Sequence, residues 1–402
     1  MLEYGFLLHL AIILLSTKVL GVITKKVQMP QVVGALVAGV ILGPAVFGII
    51  HETTFINQIA ELGVIVLMFT AGLETNIKEL KQAGKASLII AICGVLVPLA
   101  AGFGIAAAFN NNGSFTQMDT KIILENIFIG IVLTATSVSI TVETLKELGK
   151  LNTRAGTAIL GAALIDDVLG IIALTIIIGS KDPSVQISYV LFKILAFFAV
   201  SVLIGFPFYY FFKKYTESYN KRKRRFVIIA FAFCLCMSFI AEHFFGVADI
   251  TGAFIAGMVI SNTVHSKYIS RRFEILSYMF LSPIFFASIG INVTLVGMTT
   301  NIIIFSILLL IVAVLTKIVG CGVGALVCKY KKSEALQIGV GMISRGEVAL
   351  IVATKGAAAG LMKGVFFGPI ILMVVVTTII TPVLLKLVFG RKQQMDSPES
   401  QG

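Results

Sequence analysis

The run Ala155–Ile178, AGTAILGAALIDDVLGIIALTIII, holds only two ionisable residues, Asp166 and Asp167, side by side almost at its midpoint. Its length suits a membrane-crossing helix, for which about 20 apolar residues suffice. In hydrocarbon a charged carboxylate costs about 3 kcal/mol or more, so an acid pair at that depth points first to an ion or proton pathway. Successive helical residues point about 100° apart, so the two carboxylates diverge yet can border one cavity. Gly161, Ala162, Ala163 and Gly170 leave room there for water or a close helix. In the alternative reading each acid is the structural partner of a distant Lys or Arg, which explains one buried acid more readily than two.

The rest of the chain has the same character. Of 402 residues, 57% are hydrophobic and 13% charged, the mean hydropathy is +1.00, and the apolar residues fall in blocks of spanning length. We read thirteen transmembrane helices, at about 5–22, 30–50, 58–75, 86–109, 122–142, 155–178, 187–212, 226–245, 248–262, 274–296, 302–328, 335–360 and 365–388. Every second loop is basic, from Lys25-Lys26 to Arg391-Lys392, whereas the intervening loops carry only Lys121, Lys181 and Lys363. Basic loops stay cytoplasmic, which places the N-terminus outside and the C-terminus inside the cell membrane. The net charge of +12 is therefore an orientation signal rather than a nucleic-acid surface. Met1-Leu2-Glu3-Tyr4 lacks the basic start of a signal peptide, so the first segment is expected to stay as a helix. The five cysteines lack metal-ligand spacing and read as small core residues.

One fixed offset recurs. Gly34–Ile41 (GALVAGVI) matches Gly252–Val259 (GAFIAGMV) 218 positions later, and Phe55 pairs with Phe273 and Gly72-Leu73 with Gly290-Ile291 at the same offset. This predicts two six-helix repeats, the second inverted by an odd helix between them, an architecture common in transporters. The expected divisions are 1–180 for the first repeat with the acid pair, 181–225 for the linker helix and a basic loop, 226–390 for the second repeat, and 391–402 for a disordered cytoplasmic tail. The offset places Leu384 and Leu385 opposite the two acids, so the architecture itself does not require them.

Thr134-Ala135-Thr136-Ser137-Val138-Ser139 sets four hydroxyls in the span before the acid pair. They either bond back to the preceding turn or mark a broken helix whose carbonyls and hydroxyls supply oxygen ligands to an ion. The second half has Ser344-Arg345-Gly346-Glu347 in the matching region, with Lys355 further along. Two discontinuous, crossing helices follow as the expectation. Lys317, deep in 302–328, needs a carboxylate partner, for which Asp166 or Asp167 is the natural candidate. Arg345 and Glu347 do not face each other on a helix and read as structural core charges. Glu61, Glu74, Glu125, Glu242 and Asp249 read as interfacial. No phosphate loop, dinucleotide fingerprint or nucleophile elbow is present, so we expect a transporter without cofactors, not an enzyme.

Gln31–Gly34 through Gly43-Pro44, Thr134–Ser137, Gly161–Gly170, Gly252–Gly257 and Ser344–Glu347 together resemble the monovalent cation:proton antiporter-2 family. Within it, the chain is similar to short sodium/proton antiporters of the NapA and GerN type. The resemblance implies a homodimer in which a core domain moves against a dimerisation domain like an elevator. It also implies that Asp167 is the main ion-binding carboxylate, Asp166 the partner of Lys317 and Thr136 part of the crossed, unwound segment; the expected ion- and proton-binding residues are Asp166, Asp167, Thr136 and Ser137, with Na⁺ or K⁺ at Asp167, Asp166 and Thr136. The expected function is Na⁺/H⁺ exchange by competition of cation and proton for the carboxylate site, with Li⁺ or K⁺ as further cations. A K⁺/H⁺ antiporter or potassium efflux protein, a sodium-coupled organic-anion carrier and a passive channel are alternatives. An intramembrane aspartyl protease is a distant one, since its two acids must converge from separate helices.

Overall fold

In a computed structural model of the protein, the described residues are 5–26, 29–110, 119–181, 187–218, 223–292, 300–358 and 360–390. Among them the chain forms helices and no strand. The helices are α1 (Gly5–Lys26), α2 (Gln31–Leu42), α3 (Thr54–Glu74), α4 (Ile77–Asn110), α5 (Thr120–Thr134), α6 (Val138–Glu147), α7 (Arg154–Lys181) and α8 (Ile187–Ser218). They continue as α9 (Lys223–Phe239), α10 (Asp249–Ser261), α11 (Ser266–Leu276), α12 (Ser282–Ile291), α13 (Thr300–Val327), α14 (Lys332–Gly341), α15 (Glu347–Ala358) and α16 (Phe367–Gly390). Ten helical segments are long and apolar enough to cross a membrane, and α2 and α10 are shorter apolar helices. The expected tail and residues 1–4 and 111–118 lie outside the described residues.

Contacts divide the chain into two compact units, Met1–Lys18 with Ala38–Gln82 and Asp167–Asn292, and Val19–Val37 with Ala83–Asp166 and Val293–Gly402. The first unit is built on α3, which α10, α11 and α12 contact. From Gly63 to Leu73 every residue of α3 is buried, as expected for a helix apolar on all sides. Thr53 caps its start by accepting the Ile56 N–H at 3.2 Å. Glycines let the backbones meet: a methyl group on Gly72 would strike the Phe254 carbonyl oxygen, and one on Gly257 the Phe69 carbonyl oxygen. After α9 a π-helical turn, Ile240–Phe245, ends at Gly246, whose φ of +65° is left-handed. Glycine takes that conformation without steric cost, and its N–H closes the turn on the Glu242 carbonyl at 3.0 Å.

In the second unit α13 packs on α14 and α16, while α5 and α6 contact α15 and α16 respectively. α4 meets α13 at reciprocal small residues. A methyl group on Gly94 would lie 2.5 Å from Cys321 Sγ, and one on Gly320 2.7 Å from the Cys93 carbonyl oxygen. Glu334 accepts the Lys331 N–H at 2.9 Å and so closes the start of α14. Cys234 and Cys321 are buried as expected, Cys93 and Cys328 half-buried, but Cys236 is exposed, on an outward face of α9.

Candidate functional site

Two helices of the second unit break, and the breaks touch. α5 ends at Thr134 and α6 begins at Val138, with Ala135 and Ser137 in extended conformations. α14 ends at Gly341 and α15 begins at Glu347. Unwound backbone inside a membrane protein must find partners for its freed polar groups, and here each break supplies some to the other. The Ser137 N–H donates to the Ser344 carbonyl at 2.7 Å, and the Ser344 hydroxyl donates back to the Ser137 carbonyl at 2.9 Å. The Thr141 hydroxyl reaches the Gly341 carbonyl at 2.8 Å and the Ser344 hydroxyl at 2.7 Å. Gly346 is needed at this contact, since a methyl group there would lie 2.7 Å from Ser137 Oγ.

Arg345 lies within the second break and is fully buried. Its guanidinium donates to the carbonyls of Ile343 at 2.5 Å, Leu133 at 2.8 Å and Ala313 at 3.0 Å. Leu133 stands in the last turn of α5 and Ile343 just past α14, where helix ends leave carbonyls unbonded and carry partial negative charge. These bonds run to main-chain carbonyls rather than to a carboxylate. Thr378 of α16, which no sequence pattern singles out, donates to the carbonyl of Arg345 itself. The side chains of Glu347 and Lys355 lie outside the described residues.

Lys317 of α13 is 0% exposed, and its ammonium faces both carboxylate oxygens of Asp166, at 3.3 Å to Oδ1 and 3.2 Å to Oδ2. Both side chains are almost inaccessible, so each charge depends on the other. The Thr136 hydroxyl, from the unwound segment, is buried beside the Asp166 carboxylate without an aligned hydrogen bond of its own. Ser137 Oγ lies 3.1 Å from Ser139 Oγ. Asp167 is buried too, 7% exposed, one position further along α7. Thus Asp166, Lys317 and Thr136 come together from α7, α13 and the first break. A carboxylate held by one ammonium beside a hydroxyl without an aligned hydrogen bond is a group that a hard monovalent cation or a proton can neutralise.

Glu125, near the start of α5, is 5% exposed and lies 3.4 Å from Lys363.

Residues 11–390 match the family described as sodium/hydrogen exchanger, transmembrane. The chain belongs to the sodium/hydrogen exchanger family. It is 38% identical to the Na⁺/H⁺-K⁺ antiporter GerN of Bacillus cereus, over 98% of both chains. It is 34% identical to a Na⁺/H⁺ antiporter of Enterococcus hirae, over 94% of this chain and 96% of that one. Among solved structures it is similar in fold to the sodium proton antiporter MjNhaP1 of Methanocaldococcus jannaschii, with a TM-score of 0.67, 16% identity, and 96% and 97% of the two chains covered. As a member of this family the chain is a multi-pass membrane transporter, a cation/proton antiporter and not an enzyme.

Proposed function

We propose that this exchanger carries Na⁺ against H⁺ by competition for the α7 carboxylates. The observation that carries the reading is the buried Lys317–Asp166 pair beside the Thr136 hydroxyl of a broken helix. Asp167 is the main cation or proton carrier, Asp166 the second site held by Lys317, and Thr136 supplies a further oxygen. An empty, charged site is costly to carry through a low-dielectric barrier, whereas a site neutralised by a proton or by Na⁺ is not. Obligate exchange follows from that difference. Access alternates by an elevator-type movement in a homodimer embedded in lipid. The name of the Bacillus cereus relative also includes K⁺, which keeps K⁺/H⁺ exchange as a second reading.

The finer architecture belongs to the same proposal. The ten long segments, the short helices α2 and α10, and the broken pair α14–α15 together give thirteen crossings. Two inverted repeats are supported by reciprocal contacts at the offset of 218: a methyl group on Gly39 would strike Ala287, and one on Gly257, the equivalent of Gly39, would strike Phe69, the equivalent of Ala287. A methyl group on Gly63 would lie 2.9 Å from the carbonyl oxygen of Leu281, its own equivalent at that offset. Close packing at paired positions is what a pseudo-two-fold axis produces.

The test is proton flux driven by Na⁺ in proteoliposomes. Asp167→Asn is expected to abolish it while the protein still assembles. Unchanged exchange in that variant would remove the site assignment, and flux with K⁺ in place of Na⁺ decides between the two cations.

A further inference from the structure

A second polar cluster lies in the same compact unit as Lys317 but outside the acid pair. Glu125, near the start of α5, is buried, and its Oε2 has no aligned hydrogen bond. Asn126 beside it is 0% exposed and accepts the amide N–H of Asn110, at the end of α4, at 2.7 Å. That bond turns the Asn110 oxygen towards Lys363, from the connector between α15 and α16. The Lys363 ammonium lies 3.2 Å from Asn110 Oδ1 and 3.4 Å from Glu125 Oε2. Its side chain is 52% exposed, against 7% for that of Glu125.

We propose that Glu125 and Asn110 form a binding site for a monovalent inorganic cation, which Lys363 occupies as a tethered substitute. The two oxygens converge on one point, and the group found there is itself a monovalent cation. The carboxylate is built into the protein, whereas the ammonium is not. A long, half-exposed lysine gives up side-chain freedom to stay in one place, so its hold is weak. When Lys363 lifts away, a buried carboxylate is left needing positive charge, and an ion entering from the exposed side supplies it. One carboxylate and one amide oxygen are too few for Ca²⁺, which takes about six to eight oxygens. They suit a singly charged ion that keeps part of its water.

Binding of radiolabelled Rb⁺, as a K⁺ probe, to the purified full chain tests this. In a chain carrying Asp166→Asn and Asp167→Asn, Lys363→Met is expected to add roughly one saturable equivalent of Rb⁺, and Glu125→Gln is expected to remove it. With both α7 acids intact, Lys363→Met is expected to add the same increment, so misfolding of the acid-free chain leaves the proposal open to refutation. No increment in a folded background overturns it, as does an increment that survives Glu125→Gln. Cation held at the α7 acids is read separately, as the difference between the two backgrounds.

Discussion

Lys317 and Asp166 illustrate how far one buried charge depends on another. Both are nearly inaccessible, and the ammonium spans both carboxylate oxygens. Removing one partner of such a pair leaves an uncompensated charge at a cost of about 3–5 kcal/mol, whereas replacing both by apolar or neutral groups is often nearly neutral. Lys317→Met is therefore expected to lower the thermal midpoint clearly, and adding Asp166→Asn to recover much of the loss. A double variant that melts no higher than Lys317→Met alone would show that the pair is not a coupled unit. Arg345 makes a different demand, because its planar fork reaches three carbonyls that a lysine cannot serve together. Hydrogen bonds from a charged donor contribute about 1.5–3 kcal/mol each, so Arg345→Lys is expected to destabilise by roughly that much or more. Denaturation curves matching those of the unsubstituted protein would count against it.

At the scale of elements, glycines decide which helices touch. Gly257 of α10 lies against the Phe69 carbonyl of α3, so Gly257→Leu should cost about 1–3 kcal/mol through overpacking. Gly104 of α4 has nothing within 4 Å of an added methyl group, and Gly104→Ala should be neutral or stabilise by up to about 1 kcal/mol through helix propensity. Equal effects of the two changes on melting would deny the contact its role. The helices themselves were legible, since hydropathy places α1, α3, α7, α13 and α16 within a few residues, although α4 begins nine residues before and α8 ends six residues after the expected bounds. The first break was only half legible. Thr134 does bond back to Ile131, at 2.7 Å, as hydroxyls in intact helices do, yet the helix stops there. What holds the break open is Ser344, which no local pattern around Thr136 reveals.

For the whole molecule, competition between Na⁺ and H⁺ has a kinetic signature. As pH falls, the apparent KM for Na⁺ is expected to rise while the rate at saturating Na⁺ holds, because protons occupy the same carboxylates. A KM independent of pH would mean separate sites. The basic loops predict that a label attached after Lys386 reacts from the cytoplasmic side only, and labelling from outside would reverse the proposed orientation. By itself the sequence determined the class, an all-helical membrane protein with an acid pair deep in one span, because hydropathy and charge position act locally along the chain. It left open whether Asp166 or Asp167 meets Lys317, and it did not show that Arg345 bonds to carbonyls. Those partners stand 151 and 212 positions apart in the case of Lys317 with Asp166 and of Arg345 with Leu133. Only the tertiary structure decided them, since a buried charge takes whichever partner packing brings within reach, and packing is set by helices far apart in the chain.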